Sequence, residues 1–494
     1  MSLLAALTTA ALLAAAVASR LPVSGGRRSP GFLAIGPMTA AAVIALASLV
    51  SAGIAQRDIA GAALVLLVTA LTLVVQLYAE RNLRGDPHGR DFFTLSALAA
   101  AGSSASIAAD DIVLLAAGWT FATLSMIALL RTGGQGAQTR LAVRRAAAAL
   151  LVGDAALWVA VAVAVVTTGS SALSAVSGLR DKPALAVGAG VALAAVARAG
   201  SVPFHRWLPA TAAATTPVSA LLHAGFVNAG ALLLLRFSPV PSIAGVWIVA
   251  VAGSMTLLAA STAMLVRPDV KGRLVHSTAA QMGFMLLACS LGAFGVALVH
   301  VIGHALFKAS LFLGAGSAVE RAVMTRSAPR EARSRVGAWA GASVVVLAAA
   351  AAAAVGGVLT HSAAVLLIFV AATAAVAGAR IGGGPASVMA RALLVAGLAA
   401  LVIGYVLIVF RAAESLAPVV VASAVPPLFA VAVFLCSGAL SLLTRRSGAV
   451  ADRVFAFAFA WARPPLMSPV PRARTVRVRT LRPTSTGPFE YGSL

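Results

Sequence analysis

Residues 295–316 read GVALVHVIGHALFKASLFLGAG, an apolar stretch of membrane-spanning length that carries His300, His304 and Lys308. Their spacing places the three on one slowly drifting stripe of an α-helix, each about 6 Å from the next. A charge near the bilayer centre costs ~2.5–3.5 kcal/mol on insertion scales, so ionisable groups at that depth face a cavity or a partner. Two imidazoles leading to an ammonium suit a proton wire, because an imidazole takes a proton on one nitrogen and releases one from the other. Two plainer readings compete. His-x3-His is also a metal pair, although no carboxylate or thiolate accompanies it and the glutamate of an HExxH site is missing. Polar side chains also simply pin transmembrane helices together.

The rest of the chain is of the same kind. Of 494 residues 61% are hydrophobic and only 10% charged, outside the range of soluble domains. Apolar runs of roughly 18–25 residues recur, about 15 in all (13–16), each able to cross a ~30 Å hydrocarbon layer. They include 2–19, 146–168, 183–210, 213–236, 294–317, 362–379 and 418–443. The expected fold is an all-α polytopic membrane protein. Alanine, glycine and serine fill these runs and let helices approach closely. No Lys or Arg precedes the first run, so the charged n-region of a secretory signal is missing and a retained helix is expected. Cys289 and Cys436 both lie inside apolar runs, which argues against a disulfide framework, an iron–sulfur cluster or a cysteine zinc site. No cofactor is expected.

A net charge of +23 invites a nucleic-acid reading, but the basic residues fall in alternate inter-helix loops. Arg131, Arg140, Arg144 and Arg145 share one such loop, and Arg267, Lys271 and Arg273 another; an intervening loop is simply Asp110-Asp111. This is the positive-inside pattern. It predicts an outside N-terminus and a cytoplasmic C-terminus in the inner membrane, and no nucleic-acid partner. Beyond residue 443 the chain turns arginine- and proline-rich, too polar to span and too proline-rich for a long helix. Phe455, Phe457, Phe459 and Trp461 alternate with small residues, as in an interfacial anchor or a short strand docked on a partner. The plainest reading is a solvated tail held near anionic lipid.

Other ionisable residues interrupt apolar runs. Asp154 lies in LLVGDAALWV (150–159), Arg198 ends VALAAVAR (191–198), and His223 sits in TPVSALLHAG (216–225). Lys271 and His276 stand closer to the basic loops. Next to Arg198, residues Gly200, Pro203 and Pro209 break the pattern and predict a discontinuous helix near 196–210, tolerated at membrane depth only where its backbone is satisfied. A short loop between two complete helices would use the same residues.

The stretch RAGSVPFHRWLPATAAATTPVSALLHAGFVNAGALLLLRF (198–237), with DVKGRLVHSTAAQMGFMLL (269–287) and HVIGHALFKASLFLGAGSAVE (300–320), resembles the antiporter-like superfamily. Its members include subunit L of NADH-quinone oxidoreductase, the large Mrp cation/proton antiporter subunits and DabB of inorganic-carbon pumps. The resemblance is strong over 92–320 and divides the chain into N-terminal helices (1–91), an ion-translocating core (92–320), C-terminal helices (321–443) and a basic tail (444–494). It implies an ion pathway through Asp154, Arg198, His223, Lys271, His276, His300, His304 and Lys308. LLHAGFVNAGALLLLRF and VHSTAAQMGFMLLACSLG look like the DabB versions of these segments. Complex I and Mrp subunits resembling this chain carry a Gly-Trp-Glu motif whose Glu pairs with a Lys before the broken helix. Here the residues are Gly118-Trp119-Thr120, and the Lys position is Arg198. A guanidinium keeps its proton in proteins, so the usual Glu–Lys switch is absent. The later half has no recognisable lysine-bearing break, and His361 beside a Gly-Gly pair is a weak candidate. The DabB resemblance implies a proton- or sodium-driven subunit partnered by a large cytoplasmic zinc subunit of the DabA type, similar to a carbonic anhydrase, with the chemistry on that partner. A redox-complex subunit, an Mrp-like antiporter and a membrane scaffold that has lost conduction are the rival expectations.

Overall fold

In the computed structural model the described residues are 2–22, 31–55, 58–134, 136–315, 335–355, 378, 381, 387–416, 424–444 and 448–462. His361, most of the 362–379 run and the tail beyond 462 lie outside them. Among the described residues the chain folds into seventeen α-helices and no strand. They are α1 (Leu3–Ala18), α2 (Phe32–Ile54), α3 (Ile59–Asn82), α4 (Gly89–Ala108), α5 (Ile112–Arg131) and α6 (Ala137–Thr168). Then come α7 (Asp181–Arg198), α8 (Trp207–Ala210), α9 (Thr216–Ala224), α10 (Ala229–Arg236), α11 (Ile243–Val266), α12 (Val270–Ser290) and α13 (Phe294–Leu313). The last four are α14 (Arg335–Val355), α15 (Val388–Leu416), α16 (Pro427–Leu443) and α17 (Ala449–Ala462). Eight segments, with α9 and α10 counted as one, are long and apolar enough to cross a membrane. This is a multi-pass membrane protein.

Short polar residues fix where helices begin. Asp58 accepts from the Gly61 amide, Asp111 from Val113 and Leu114, Ser242 from Gly245 and Asp269 from Gly272, and Ser2 and Ser387 cap α1 and α15 in the same way. Each such cap is worth ~1 kcal/mol. At α5, α11 and α12 the capping residue follows a turn from the previous helix, which makes the up-and-down course local and cheap in loop entropy. The start of α6 is earlier than the hydropathy suggests: Ala137 rather than 146. Its first turns are rich in Ala, Gln and Arg, good helix formers that are polar without breaking the helix.

Helices α4 and α5, α6 and α7, and α11 and α12 pack as antiparallel neighbours, while α13 lies against α3, α9 and α15. Small residues bring backbones together. A Cβ on Gly253 would sit 2.8 Å from the Gly283 carbonyl oxygen, and one on Gly118 2.8 Å from that of Gly102. The two ends of the bundle differ in charge. Asp58, Asp110, Asp111 and Asp181 mark one end, where Arg236 bonds the Ala109 carbonyl and pairs with Asp58. Arg131, Arg145, Arg206, Arg267 and Lys271 mark the other. We refer to these as the acidic and basic ends.

Of the two readings of the tail's aromatics, interfacial anchor or short strand, the strand is not formed: residues 449–462 are helical. On a helix the alternating aromatics fall into two stripes: Phe455 stacks on Phe459 and Phe457 lies against Trp461, with centroids 6.3 and 6.0 Å apart. Pairs four residues apart face each other on a helix, so a period of two satisfies the helix as well as the strand.

Candidate functional site

The break after α7 is built by Gly200. Its φ of +62° follows the last helical turn, and the Ser201 amide reaches back to the Val196 carbonyl. That is a glycine-terminated cap in which a side chain would be strained, and a Cβ here would lie 2.9 Å from Leu208. The freed backbone is satisfied by protein: the Val202 amide donates to Thr256 Oγ1 at 2.9 Å, and Trp207 Nε1 donates to the Ala197 carbonyl at 3.0 Å. Pro203 follows a cis peptide bond, and Pro209 lies in the one-turn helix α8. The chain therefore turns aside after Arg198, with only a one-turn helix and a short 3₁₀ turn before α9, rather than two complete helices joined by a loop.

Turning the chain there aims Arg198 inward. It is 2% exposed, and its Nη2 lies 3.7 Å from Asp154 Oδ1. The same nitrogen donates to Thr123 Oγ1 at 2.6 Å and to the Trp119 carbonyl at 3.1 Å. Trp119 Nε1 donates to Asp154 Oδ1 at 2.8 Å. The guanidinium also lies 3.7 Å from the Trp119 ring centroid and 4.1 Å from that of Phe226. Thr120 accepts from Trp158 at 3.0 Å. The acid–base pair of this site takes its carboxylate from α6 and its cation, an arginine, from the end of α7.

A second irregularity joins this pair to the stripe on α13. The helix beginning at Thr216 loosens at Gly225, giving a 3₁₀ turn over Phe226–Asn228 before α10. Asn228 Nδ2 donates to the Ala224 carbonyl at 2.6 Å, and Asn228 Oδ1 lies 3.0 Å from His304 Nδ1. Only the amide NH2 can face a carbonyl, so Oδ1 faces the imidazole and His304 Nδ1 carries the proton. His304 Nε2 is left as the lone-pair nitrogen, buried without a hydrogen-bond partner among the described residues. A cavity of about 80 Å³ runs between Arg198, Asn228 and the serines Ser96, Ser103 and Ser106 of α4. At roughly 10–15 Å³ each, it has room for several waters.

From His304 the polar groups continue along α13. His300 stacks on it with centroids 5.9 Å apart, and packs its other side against Phe284. Fully buried Lys308 donates to Ser277 Oγ at 2.8 Å and to the Leu274 carbonyl at 3.3 Å. His223 stacks on Phe312 and lies 3.4 Å from Thr211 Oγ1. At the basic end Lys271 Nζ donates to the Ala214 carbonyl at 2.8 Å. His304 is in electrostatic reach of His300, Lys308 and His223, and His223 of Lys308 and Lys271. His276 stands apart, close to Arg267, Asp269 and the Ala462 backbone. Among the described residues no three of His, Cys, Asp and Glu gather as metal ligands.

Five contributors were not singled out from sequence. Trp119, Phe226, Asn228 and Ser277 lie inside the quoted stretches, where Phe and Ser are common types with no signal of their own; Thr123 lies outside them and carries none either.

A family described as NADH:quinone oxidoreductase/Mrp antiporter transmembrane proteins matches residues 109–377. The chain is 34% identical over 322 residues to a probable inorganic carbon transporter subunit DabB of Bacillus subtilis (strain 168), covering 63% of each chain. It is 36% identical over 274 residues to a probable inorganic carbon transporter subunit DabB1 of Halothiobacillus neapolitanus, covering 52% of this chain and 48% of the relative. These matches span less than two thirds of either relative's length. Among solved structures it is similar to the Mrp complex from Dietzia sp. DQ12-45-1b, with a TM-score of 0.58 and 27% identity over 93% of this chain and 52% of that one.

Proposed function

Because the chain belongs to the NADH:quinone oxidoreductase/Mrp antiporter transmembrane family, we propose that it moves ions, protons in the first instance, as the membrane subunit of an energy-coupled inorganic carbon pump. The observation that carries the reading is the polar run from half-buried Lys271 through buried Lys308, His304 and Asn228 to the Arg198–Asp154 pair. The basic end faces the cytoplasm in this reading, as the distribution of Arg and Lys over the loops supports. His304 receives a proton on its bare Nε2 and releases the one on Nδ1 toward Asn228 and the adjoining cavity. Lys308, one turn away, sets the charge that this proton meets. Arg198 is the fixed cation that faces Asp154, and a proton arriving from the cavity side would reach that pair.

The relatives named as inorganic carbon transporter subunits support a carbon pump; in this reading its partner is a large cytoplasmic zinc subunit that hydrates CO2. One charge crossing 100 mV supplies ~2.3 kcal/mol, enough to bias a near-equilibrium hydration by well over tenfold. A cation/proton antiporter of the Mrp kind is the second reading, favoured by the buried acid–base pair beside the helix break.

Mild-detergent co-purification of the tagged protein, with identification and zinc analysis of what accompanies it, separates the two. A stoichiometric zinc-bearing soluble partner is expected. Redox subunits, or small membrane subunits without zinc, would overturn the carbon-pump reading.

A further inference from the structure

Two adjoining pockets at the basic end have opposite character and share two walls. The first, of 330 Å³, is lined by Arg145, His205 and Arg206 on one side and by Phe457 and Trp461 of α17 on the other. No carboxylate lines it. Arg206 repels both Arg145 and the charged form of His205, and neither arginine has an acidic partner among the described residues. Two guanidiniums held together without a counter-charge form an anion site, and their forked donors suit phosphate oxygens.

The second pocket, of 390 Å³, is a groove between α11, α16 and α17. Met255, Leu258, Leu440 and Val454 line it with the same Phe457 and Trp461, and Arg453 completes its rim. Helix α17 is fixed in place between the two. Trp461 stacks on His205 at 4.1 Å, and Arg267 donates to the Ala462 carbonyl at 3.0 Å, a cation at a helix C-terminus. Phe455, Phe457 and Phe459 stay about half exposed, as suits a helix lying at the headgroup level.

An anion site continuous with an apolar groove fits an amphiphile. We infer that the two pockets form one binding site for an anionic phospholipid, its phosphate between Arg145 and Arg206 and an acyl chain along the Met255–Leu440 groove. A zwitterionic lipid fills the groove and brings a phosphate too, but its ammonium adds a third cation to a pocket that no carboxylate lines. A free oxyanion neutralises the cations but leaves the groove unused. The preference for an anionic over a zwitterionic headgroup, from two cations near the phosphate, is roughly thirtyfold.

Native mass spectrometry of the full-length protein in mild detergent tests this, with phosphatidylglycerol, phosphatidylcholine and inorganic phosphate supplied separately and the thermal midpoint followed in parallel. Phosphatidylglycerol adducts are expected to survive and to outcompete phosphatidylcholine by that factor. Arg145→Gln/Arg206→Gln abolishes the preference, and Met255→Trp, which fills the groove and leaves both arginines, abolishes the adducts. Equal retention of the two lipids by the unaltered protein overturns the inference, as does an unchanged preference in the double variant. If inorganic phosphate stabilises the Met255→Trp variant as well as phosphatidylglycerol stabilises the parent, the site takes a soluble oxyanion and the lipid assignment fails.

Discussion

Replacing Asp154 by Asn removes one charge and almost nothing else. The amide oxygen still accepts from Trp119 Nε1, so the 2.8 Å bond has a successor. Arg198 is left with no counter-ion at 2% exposure. Removing one partner of a buried pair costs about 3–5 kcal/mol, because the other charge stays uncompensated. Arg198 keeps its bonds to Thr123 and the Trp119 carbonyl and its place between two aromatic faces. The expected loss is therefore at the low end, about 3 kcal/mol. Adding Arg198→Met removes the stranded cation, and the double variant should recover about 1–2 kcal/mol of that loss. Reversible unfolding in mixed micelles, followed by tryptophan fluorescence, measures all four corners of the cycle. Proton flux into proteoliposomes, run alongside, should fall to background in Asp154→Asn. A single-variant loss below ~0.5 kcal/mol, the level of an ordinary surface change, would refute the pair, and so would strictly additive losses in the double variant.

Adding Thr120→Glu to Asp154→Asn moves the acid back to α5 and should restore at least ~1 kcal/mol of stability by re-pairing Arg198; no recovery would mean that position 120 cannot reach it. Lys308→Met keeps the volume of a buried side chain whose bonds go to one hydroxyl and one carbonyl, so stability should change by less than ~1.5 kcal/mol while flux is lost. Unchanged flux would favour a scaffold role. Gly200→Ala meets both a positive φ and the Leu208 side chain, and should destabilise by about 2 kcal/mol in the same unfolding assay. Asp111→Ala removes the α5 cap for ~1 kcal/mol. The Ser171 hydroxyl, then the Leu114 amide, hold the Asp111 carboxyl below its ordinary value. Its contribution is thus complete above the unfolded value of about 3.9 and is lost as pH falls through the lower folded one, so a pH series should show the parent approaching the Asp111→Ala variant only in acid.

Local patterns were legible in the sequence, and partnerships were not. The stripe on α13 follows from a spacing of four, and the break beside Arg198 from Gly200 and Pro203, because helix geometry and glycine or proline chemistry act over a few residues. Asp154 and Arg198 each stood out as a charge in an apolar run, but nothing in either segment says that α6 and α7 pack with those two positions facing. Thr120 and Arg198 read as the absence of the usual Glu–Lys switch, and only the structure sets Asp154 of another helix beside that arginine. Asn228 meets His304 only because the chain loosens at Gly225, a departure too small to appear in hydropathy. The aromatic alternation of 455–461 was ambiguous for a physical reason, since residues four apart are neighbours on a helix and same-face residues on a strand.

The close contact of α11 with α12 has a mechanical consequence. With Gly253 and Gly283 meeting backbone to backbone, little space is left for one helix to slide past the other, so the pair is expected to behave as a stiff unit. One of them carries Thr256, which grips the Val202 amide within the break; the other carries Ser277 and the Leu274 carbonyl, which grip Lys308. The rigid pair thus ties the backbone beside Arg198 to the groups that Lys308 holds, a link made by packing and not by charge.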